Sequence, residues 1–384
     1  MDLSLSEDQR MMVEAARRLV EKHIQPILDR NDKDKGLPKA EVLALLEKVA
    51  DLGLTSARIP EAEGGTGMAM LNYGLIAEQM PPVVAIIVQP HEATTTRIHF
   101  GGTPEQRERF VPDLIAGRRL ACTGSTEPDV GSDPRGIKTT MVEDGDSVVI
   151  NGRKQWISNS PVCDVMNVTC RVADGKGGFR MMRVLVDRAE SHFEAREVAM
   201  HGLRQAPLGE VVFDGCRVPA RNVCPDSGDT PRLLTLTWLA NRPLVGLMAV
   251  HLAQRALDLA REYAGIRKQF GKTIGGFQLI QHDLAEIETA VVTSRLTCYH
   301  ALAALDRGER ANGLSAMAKR YSVDACERAI ALAMRIHGAM GLSRELGLEQ
   351  MARDVRSLTP PDGTPGILSL IQGRELTGLD AFRG

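Results

Sequence analysis

The chain has 384 residues, 43% hydrophobic and 25% charged, with 47 basic and 49 acidic side chains and a formal net charge of −2. That length predicts about two or three domains with ample core, and the absence of a basic tract argues against nucleic-acid or anionic-membrane binding, which need clustered Lys and Arg. The seven cysteines (Cys122, Cys163, Cys170, Cys216, Cys224, Cys298 and Cys326) are scattered and never spaced as CxxC, which argues against a disulfide framework or metal site and predicts small buried hydrophobes.

The N-terminus, Met1 to Gln9, is acidic and lacks an apolar or Arg-rich targeting pattern. No apolar run approaches membrane-spanning length, so a cytoplasmic protein is expected. In chain order, Ser6 and Gln9 form a capping-box pattern ahead of an apolar stripe, Met11, Val13, Ala16, Leu19 and Val20, at helical spacing. Further helices are predicted around Ala40–Leu52 and Met70–Gln79. From about residue 120 the pattern changes to short strand-like runs at 147–151, 165–169, 182–186 and 210–213. Turn dipeptides such as Asp144-Gly145, Asn151-Gly152 and Asp174-Gly175 separate these runs. This stretch reads as a compact antiparallel barrel or sandwich. Long Ala- and Leu-rich periodic segments, Leu233–Leu259, Gln278–Leu305 and Leu314–Ile336, then return to helix. The expected architecture is α+β, with helical residues 1–119, a β-domain at 120–227 and a helical bundle at 228–384.

Glu61-Ala-Glu-Gly-Gly-Thr-Gly67 invites a dinucleotide reading but lacks a preceding strand and a βαβ frame; a helix-connecting turn is expected. Two other blocks carry more. Gly124-Ser-Thr-Glu-Pro-Asp-Val-Gly-Ser-Asp133, followed by Lys154-Gln-Trp-Ile-Ser-Asn159, offers amides, small hydroxyls and an indole, which suit an aromatic cofactor with a polar edge. Arg267-Lys-Gln-Phe-Gly-Lys-Thr-Ile-Gly-Gly-Phe-Gln278 offers a guanidinium that can hold a pyrophosphate bidentately.

In this order these blocks resemble the acyl-CoA dehydrogenase family, and the resemblance extends along nearly the whole chain. It implies an N-terminal helical domain, a middle β-barrel or sandwich that binds flavin, and a C-terminal four-helix bundle. It implies FAD as cofactor, an acyl-CoA thioester as substrate, an electron-transferring flavoprotein as partner, and a homodimer or homotetramer. By residue-for-residue match, Thr123, Ser125, Thr126, Ser132, Trp156, Ile157 and Ser158 line the flavin, with Ser132 also near coenzyme A. Arg267, Gln269, Phe270, Phe277 and Gln278 match the block that reaches the FAD of a neighbouring subunit. Arg335-Ile-His-Gly-Ala-Met-Gly341 is similar to the family's Gln-x-x-Gly-Gly-x-Gly turn. There Arg335, Gly338 and Ala339 bind cofactor, with Thr364 further on. Ala339 stands where the family has Gly, so it needs a negative φ or tolerated strain. His337 is expected to be structural. Arg242 and Gly363 are implied in substrate binding.

The departure lies at the base. Where the family has a Tyr-Glu-Gly-Thr turn, this chain has Pro361-Asp-Gly-Thr364, so Asp362 falls on the proton-abstracting Glu. Its reach is shorter by about 1.5 Å, and a misplacement of roughly 1 Å can cost about a hundredfold in rate. The loop must therefore come closer, or the substrate must sit deeper. An alternative base position on the first long C-terminal helix holds Asn241 and is closed. His91 and Glu92, in Gln89-Pro-His-Glu-Ala93, match a segment that walls the acyl pocket and are candidates to assist or replace Asp362. Other chemistry on the same scaffold stays open: nitroalkane-type oxidation, desulfination or flavin-dependent hydroxylation. A DNA-binding alkylation-response relative is disfavoured by the near-neutral charge.

Overall fold

The computed structural model describes residues 4–226 and 230–382, with only the backbone for 230–236. Six helices open the chain: α1 (Glu7–Leu19), α2 (Gln25–Arg30), α3 (Lys39–Ala50), α4 (Met70–Ala77), α5 (Pro82–Gly101) and α6 (Pro104–Ile115). The capping box at α1 is present: Ser6 Oγ accepts from Gln9 N, and the Gln9 side chain accepts from Ser6 N. Between Ile59 and α4 the chain makes a 3-10 turn at Glu61–Glu63, closed by Gly64 at φ 88°. No strand precedes it. At Gly65 a Cβ would lie 2.1 Å from the Ile59 carbonyl oxygen, so the turn requires glycine there.

Helix α5 is the element that sequence periodicity conceals. It is buried on nearly every side, so no apolar stripe marks it, and it carries Pro90 in its interior. A proline there removes a backbone N–H and costs about 3 kcal/mol in an exposed helix. Here Pro82 starts the helix from its first turn, and Asn159 Nδ2 donates to the Ile87 carbonyl beside the interruption at 2.9 Å.

The middle of the chain forms one seven-stranded sheet from β1 (Ala121–Gly124), β2 (Thr140–Asp144), β3 (Ser147–Ser158), β4 (Val165–Ala173), β5 (Phe179–Asp187), β6 (Glu194–Glu197) and β7 (Leu208–Pro219). Its order is β1-β4-β2-β3-β7-β6, with β5 also on β4. Most pairings are antiparallel, as expected. The exceptions are β1 with β4 along Ala121–Gly124, and β2 with β4 at Thr140 and Arg171, which are parallel.

The last third is helical: α7 (Thr230–Ile266), a small hairpin of β8 (Lys268–Gln269) and β9 (Lys272–Thr273), α8 (Gln278–Asp306), α9 (Asn312–His337), α10 (Leu348–Ser357) and α11 (Pro365–Thr377). Helix α9 packs against α7, α8, α10 and α11. One apolar core joins all three regions, from Leu46 and Val84 through Ile150 and Val168 to Leu247, Leu302 and Ile330, all fully buried. Each such side chain contributes roughly 1.5–3 kcal/mol. All seven cysteines are buried and unpaired. No helix among the described residues is long and apolar enough to cross a membrane.

Candidate active site

The turn between α10 and α11 carries Asp362. Its sequence, Pro360-Pro-Asp-Gly-Thr-Pro365, fixes an unusual path, with Asp362 at φ 53° and Gly363 at φ 116°. Asp tolerates the left-handed region better than most residues, and Gly does so at no steric cost. Thr364 then caps α11, its side chain accepting from Ile367 N, with Pro365 in the first turn. Three groups from distant elements hold the turn. Lys319 Nζ, on α9, donates to the carbonyls of Thr359 (2.9 Å), Gly363 (2.6 Å) and Pro361. Arg242 Nε, on α7, donates to the Asp362 carbonyl at 3.1 Å, while its Nη1 holds Asn312. Gln89 Nε2, on α5, donates to Asp362 Oδ2 at 2.9 Å and to the Asn241 carbonyl at 3.2 Å. Burial pulls the Lys319 ammonium from 10.5 down to about 8, although the Asp362 charge opposes this. The Arg242 guanidinium is likewise lowered by burial. Arg242 is thus occupied in positioning the turn.

The second part of the site is the Thr126-Glu-Pro turn. Its anchor is Lys154, fully buried on β3, whose Nζ reaches Glu127 Oε1 (2.8 Å), the Thr169 carbonyl (2.7 Å) and the Ser125 carbonyl (3.2 Å). Glu127 also accepts from Lys138 N and Thr139 N. Burial lowers the proton affinity of Lys154, and Glu127 opposes the shift. The motif's charged residues therefore build the turn, and Ser125 Oγ shares a hydrogen bond with Thr169 Oγ1 at 3.3 Å, which leaves the Thr126 hydroxyl to face a ligand. Beside it, Gln155 N donates to the Thr126 carbonyl at 2.9 Å. The β3–β7 register slips between Lys154 and Ile157, and Trp156 sits in that bulge at φ 61° with half of its surface exposed. A bulky residue with positive φ is strained, and such strain is retained where the surroundings enforce it. Ile157 turns into the core, so its backbone alone is available to a ligand. Ser125, Thr126 and Ser158 are half-buried, and Ser132 is exposed. An exposed indole beside the hydroxyls of Thr126, Ser132 and Ser158 fits an aromatic ring with a polar edge.

The structure corrects two candidates. His91 is fully buried with both ring nitrogens engaged: Nδ1 accepts from Ala121 N at 3.0 Å, and Nε2 donates to the Leu114 carbonyl at 2.9 Å. Burial lowers its proton affinity to about 4. It pins α5 to β1 and α6 and cannot take a substrate proton. Glu92 is fully buried against Arg58, Oε2 to Nη1 at 3.0 Å, and also accepts from Thr96 Oγ1 at 2.9 Å. Its charge is committed to Arg58, which in turn donates to Asn241 Oδ1 at 2.7 Å. Helix α5 also carries residues that the sequence did not single out. Arg97, on α5, donates through Nη1 to Thr123 Oγ1 at 3.0 Å and through Nη2 to Thr237 Oγ1. Thr123 Oγ1 also shares a hydrogen bond with Thr94 Oγ1 at 2.7 Å.

The remaining candidates lie at the ends of the bundle helices. Arg267 is exposed and forms no ion pair among the described residues, as suits a pyrophosphate ligand. Phe270, at φ 51°, is almost wholly exposed and meets Phe277 edge-on at 6.1 Å. Gln269 and Gln278 are exposed. Arg335 instead grips Asp283 with both arms. Gly338 takes the positive φ of its turn, 61°, so Ala339 keeps an ordinary backbone and carries no strain. His337 stacks on Tyr263 at 4.5 Å and is structural. A cavity of about 400 Å³ between α8 and α9, around Ala290, Tyr321 and Ala329, contains none of these residues. No group of side chains suited to a metal occurs among the described residues.

Three family models cover most of the chain: the N-terminal, middle and C-terminal domains of acyl-CoA dehydrogenases match residues 6–118, 122–216 and 234–377. The chain is 32% identical to a cyclohex-1-ene-1-carbonyl-CoA dehydrogenase of Geobacter metallireducens, over 97% of this chain and 98% of the relative. It is 30% identical to a caffeyl-CoA reductase–Etf complex subunit of Acetobacterium woodii, over 95% and 97% of the two chains. A solved glutaryl-coenzyme A dehydrogenase in complex with glutaryl-CoA superposes with a TM-score of 0.90 at 30% identity, covering 100% of this chain and 98% of that one.

Proposed function

We propose that this chain, which belongs to the acyl-CoA dehydrogenase family and is an FAD-dependent oxidoreductase, removes one α and one β hydrogen from an acyl-CoA thioester to give a 2-enoyl-CoA. The observation that carries this reading is the placement of Asp362. A carboxylate stands on a turn held by two buried cations, with one oxygen oriented by Gln89. Asp362 takes the α-proton. Lys319 and Arg242 keep the turn in place. Gln89 fixes the carboxylate rotamer, and Lys154 fixes the turn that carries Ser125 and Thr126. FAD, when bound, supplies the oxidant that accepts the β-hydrogen with its electron pair. Trp156 and the hydroxyls of Ser125, Thr126, Ser132 and Ser158 would hold its ring, and Arg267 and Gln278 its phosphate end.

An electron-transferring flavoprotein is the proposed electron acceptor, supported by the Etf-complex relative. A homodimer or homotetramer is supported by the exposed Ile266, Phe270 and Leu279 in and beside the Arg267 block. A second reading, oxidase, desulfinase or hydroxylase chemistry on the same scaffold, is favoured by one observation, the Asp in place of Glu. To separate the two, the purified holoenzyme is mixed anaerobically with straight, branched, cyclic and aromatic acyl-CoAs while flavin bleaching is recorded. Rapid bleaching by one class supports dehydrogenation. No bleaching by any of them overturns it and promotes the second reading.

A further inference from the structure

Gln89, Ala93 and Arg97 recur every fourth residue on α5 and so share one face. Gln89 holds the Asp362 carboxylate at one end of this stripe. Ala93 contributes only a methyl in the middle. Arg97 lies about 12 Å further along the axis, and long helical side chains lean back toward the N-terminus, which carries its guanidinium toward Ala93. Arg97 is 5% exposed and ion-pairs with no carboxylate among the described residues. Two hydroxyls accept from its Nη atoms, while its Nε is buried without a partner among the described residues, as is Gln89 Oε1. A guanidinium has five N–H donors and is always charged, so several donors here await an acceptor.

The local charge balance points the same way. Glu92 offsets Arg58. Asp362 acts on Arg97, Arg242 and Lys319 alike, and the other carboxylate that acts on Arg97 is Glu92, already committed to Arg58. Buried charges are normally paired. Two positive charges here remain uncompensated among the described residues.

We propose that the acyl group taken by this site ends in a carboxylate, and that Arg97 is the residue that selects it. The inference rests on the acyl-CoA reading above and specifies its substrate class. The thioester α-carbon lies at Asp362, the chain runs along Ala93, and the terminal carboxylate meets the free guanidinium donors of Arg97.

The test compares glutaryl-, adipyl- and pimelyl-CoA with pentanoyl-, hexanoyl- and heptanoyl-CoA, which match them in carbon number. Equilibrium binding and anaerobic flavin reduction are both measured, in wild type, Arg97→Met and Arg97→Lys. The wild type is expected to favour at least one carboxylated substrate over its neutral partner by roughly a hundredfold in kcat/KM. That ratio falls to within about tenfold in Arg97→Met and recovers in part in Arg97→Lys. Because the ratio is internal to each variant, partial misfolding does not change it. A wild type that binds neutral chains as well as or better than carboxylated ones overturns the proposal. So does an Arg97→Met variant that loses both classes equally, which would make Arg97 a brace for Thr123 and Thr237. Carboxylate-selective binding without flavin reduction would support the proposal while removing the dehydrogenase reading. Reduction by neutral acyl-CoAs alone would do the reverse.

Discussion

Replacing Lys319 by Met should lower the rate sharply as well as weaken the fold. The ammonium is buried on α9 and makes three bonds to the turn that carries Asp362. Bonds from a charged donor contribute about 1.5–3 kcal/mol each. Against that stands the cost of burying the cation. Its drop from 10.5 to about 8 corresponds to ~3 kcal/mol at about 1.4 kcal/mol per unit. Met removes both contributions and keeps most of the volume, so the bonds less the burial cost leave a net loss of stability of about 1.5–6 kcal/mol in urea unfolding. The turn, however, loses its tether, and a shift of about 1 Å at Asp362 costs roughly a hundredfold. Stopped-flow flavin reduction should fall by about that factor. The pH dependence carries the same logic with opposite signs for rate and stability. Only the charged amine donates three bonds, so the wild-type rate should fall above about pH 8, approaching tenfold per unit, and Lys319→Met should lack that limb. Stability should not fall with it. Because the folded value lies below the unfolded one, the unfolded chain holds more protons between about pH 8 and 10.5, and this group's contribution rises with pH there. A Lys319→Met rate within about threefold of wild type, or a wild-type rate flat past pH 9, would refute this role.

Lys154→Met leaves Glu127 as an unpaired buried charge, and urea unfolding should show a loss of about 3–5 kcal/mol together with poor flavin retention; a loss under about 1 kcal/mol would contradict the anchor. Trp156→Gly relieves a positive φ and should stabilise the apoprotein by up to about 1 kcal/mol, yet weaken FAD binding in a fluorescence titration; unchanged FAD affinity would remove the indole from the cofactor site. His91 and His251 are both lowered by burial to about 4. Their folded values lie below the unfolded ones, so stability is kept above about pH 6.5 and lost as pH falls toward 4. Each should contribute a loss of about 2 kcal/mol between pH 7 and pH 5, and a flat urea midpoint over that range would show that they do not.

Much of this architecture is legible in the sequence because its signals are local. The capping box at Ser6, the strand runs separated by Asp-Gly and Asn-Gly turns, and the three long periodic helices all appear near their expected positions. The Thr-Glu-Pro and Trp-Ile-Ser blocks point to a cofactor site, although the structure shows Glu127 and Lys154 building the turn. What the sequence hides is long-range. Gln89 meets Asp362 across 273 positions, and Lys319 reaches Gly363 across 44, with nothing in either segment to announce the partnership. Helix α5 is obscured by its two-sided burial and by Pro90. That in turn made His91 and Glu92 look like available acids and bases when each is spent on structural partners. Arg97 carries no sequence signal for the same reason, since its meaning depends on being buried without a carboxylate among the described residues.

The account turns on Asp362 as the base. The most direct measurement is the anaerobic reduction rate of FAD-loaded wild type and Asp362→Asn with whichever acyl-CoA bleaches the wild type fastest. Asn preserves the shape and can still meet Gln89, so flavin content and ligand binding should persist while the reduction rate falls by about 10²–10⁴. Bleaching of Asp362→Asn at a rate within about tenfold of wild type would contradict the central claim and place the base elsewhere in the pocket.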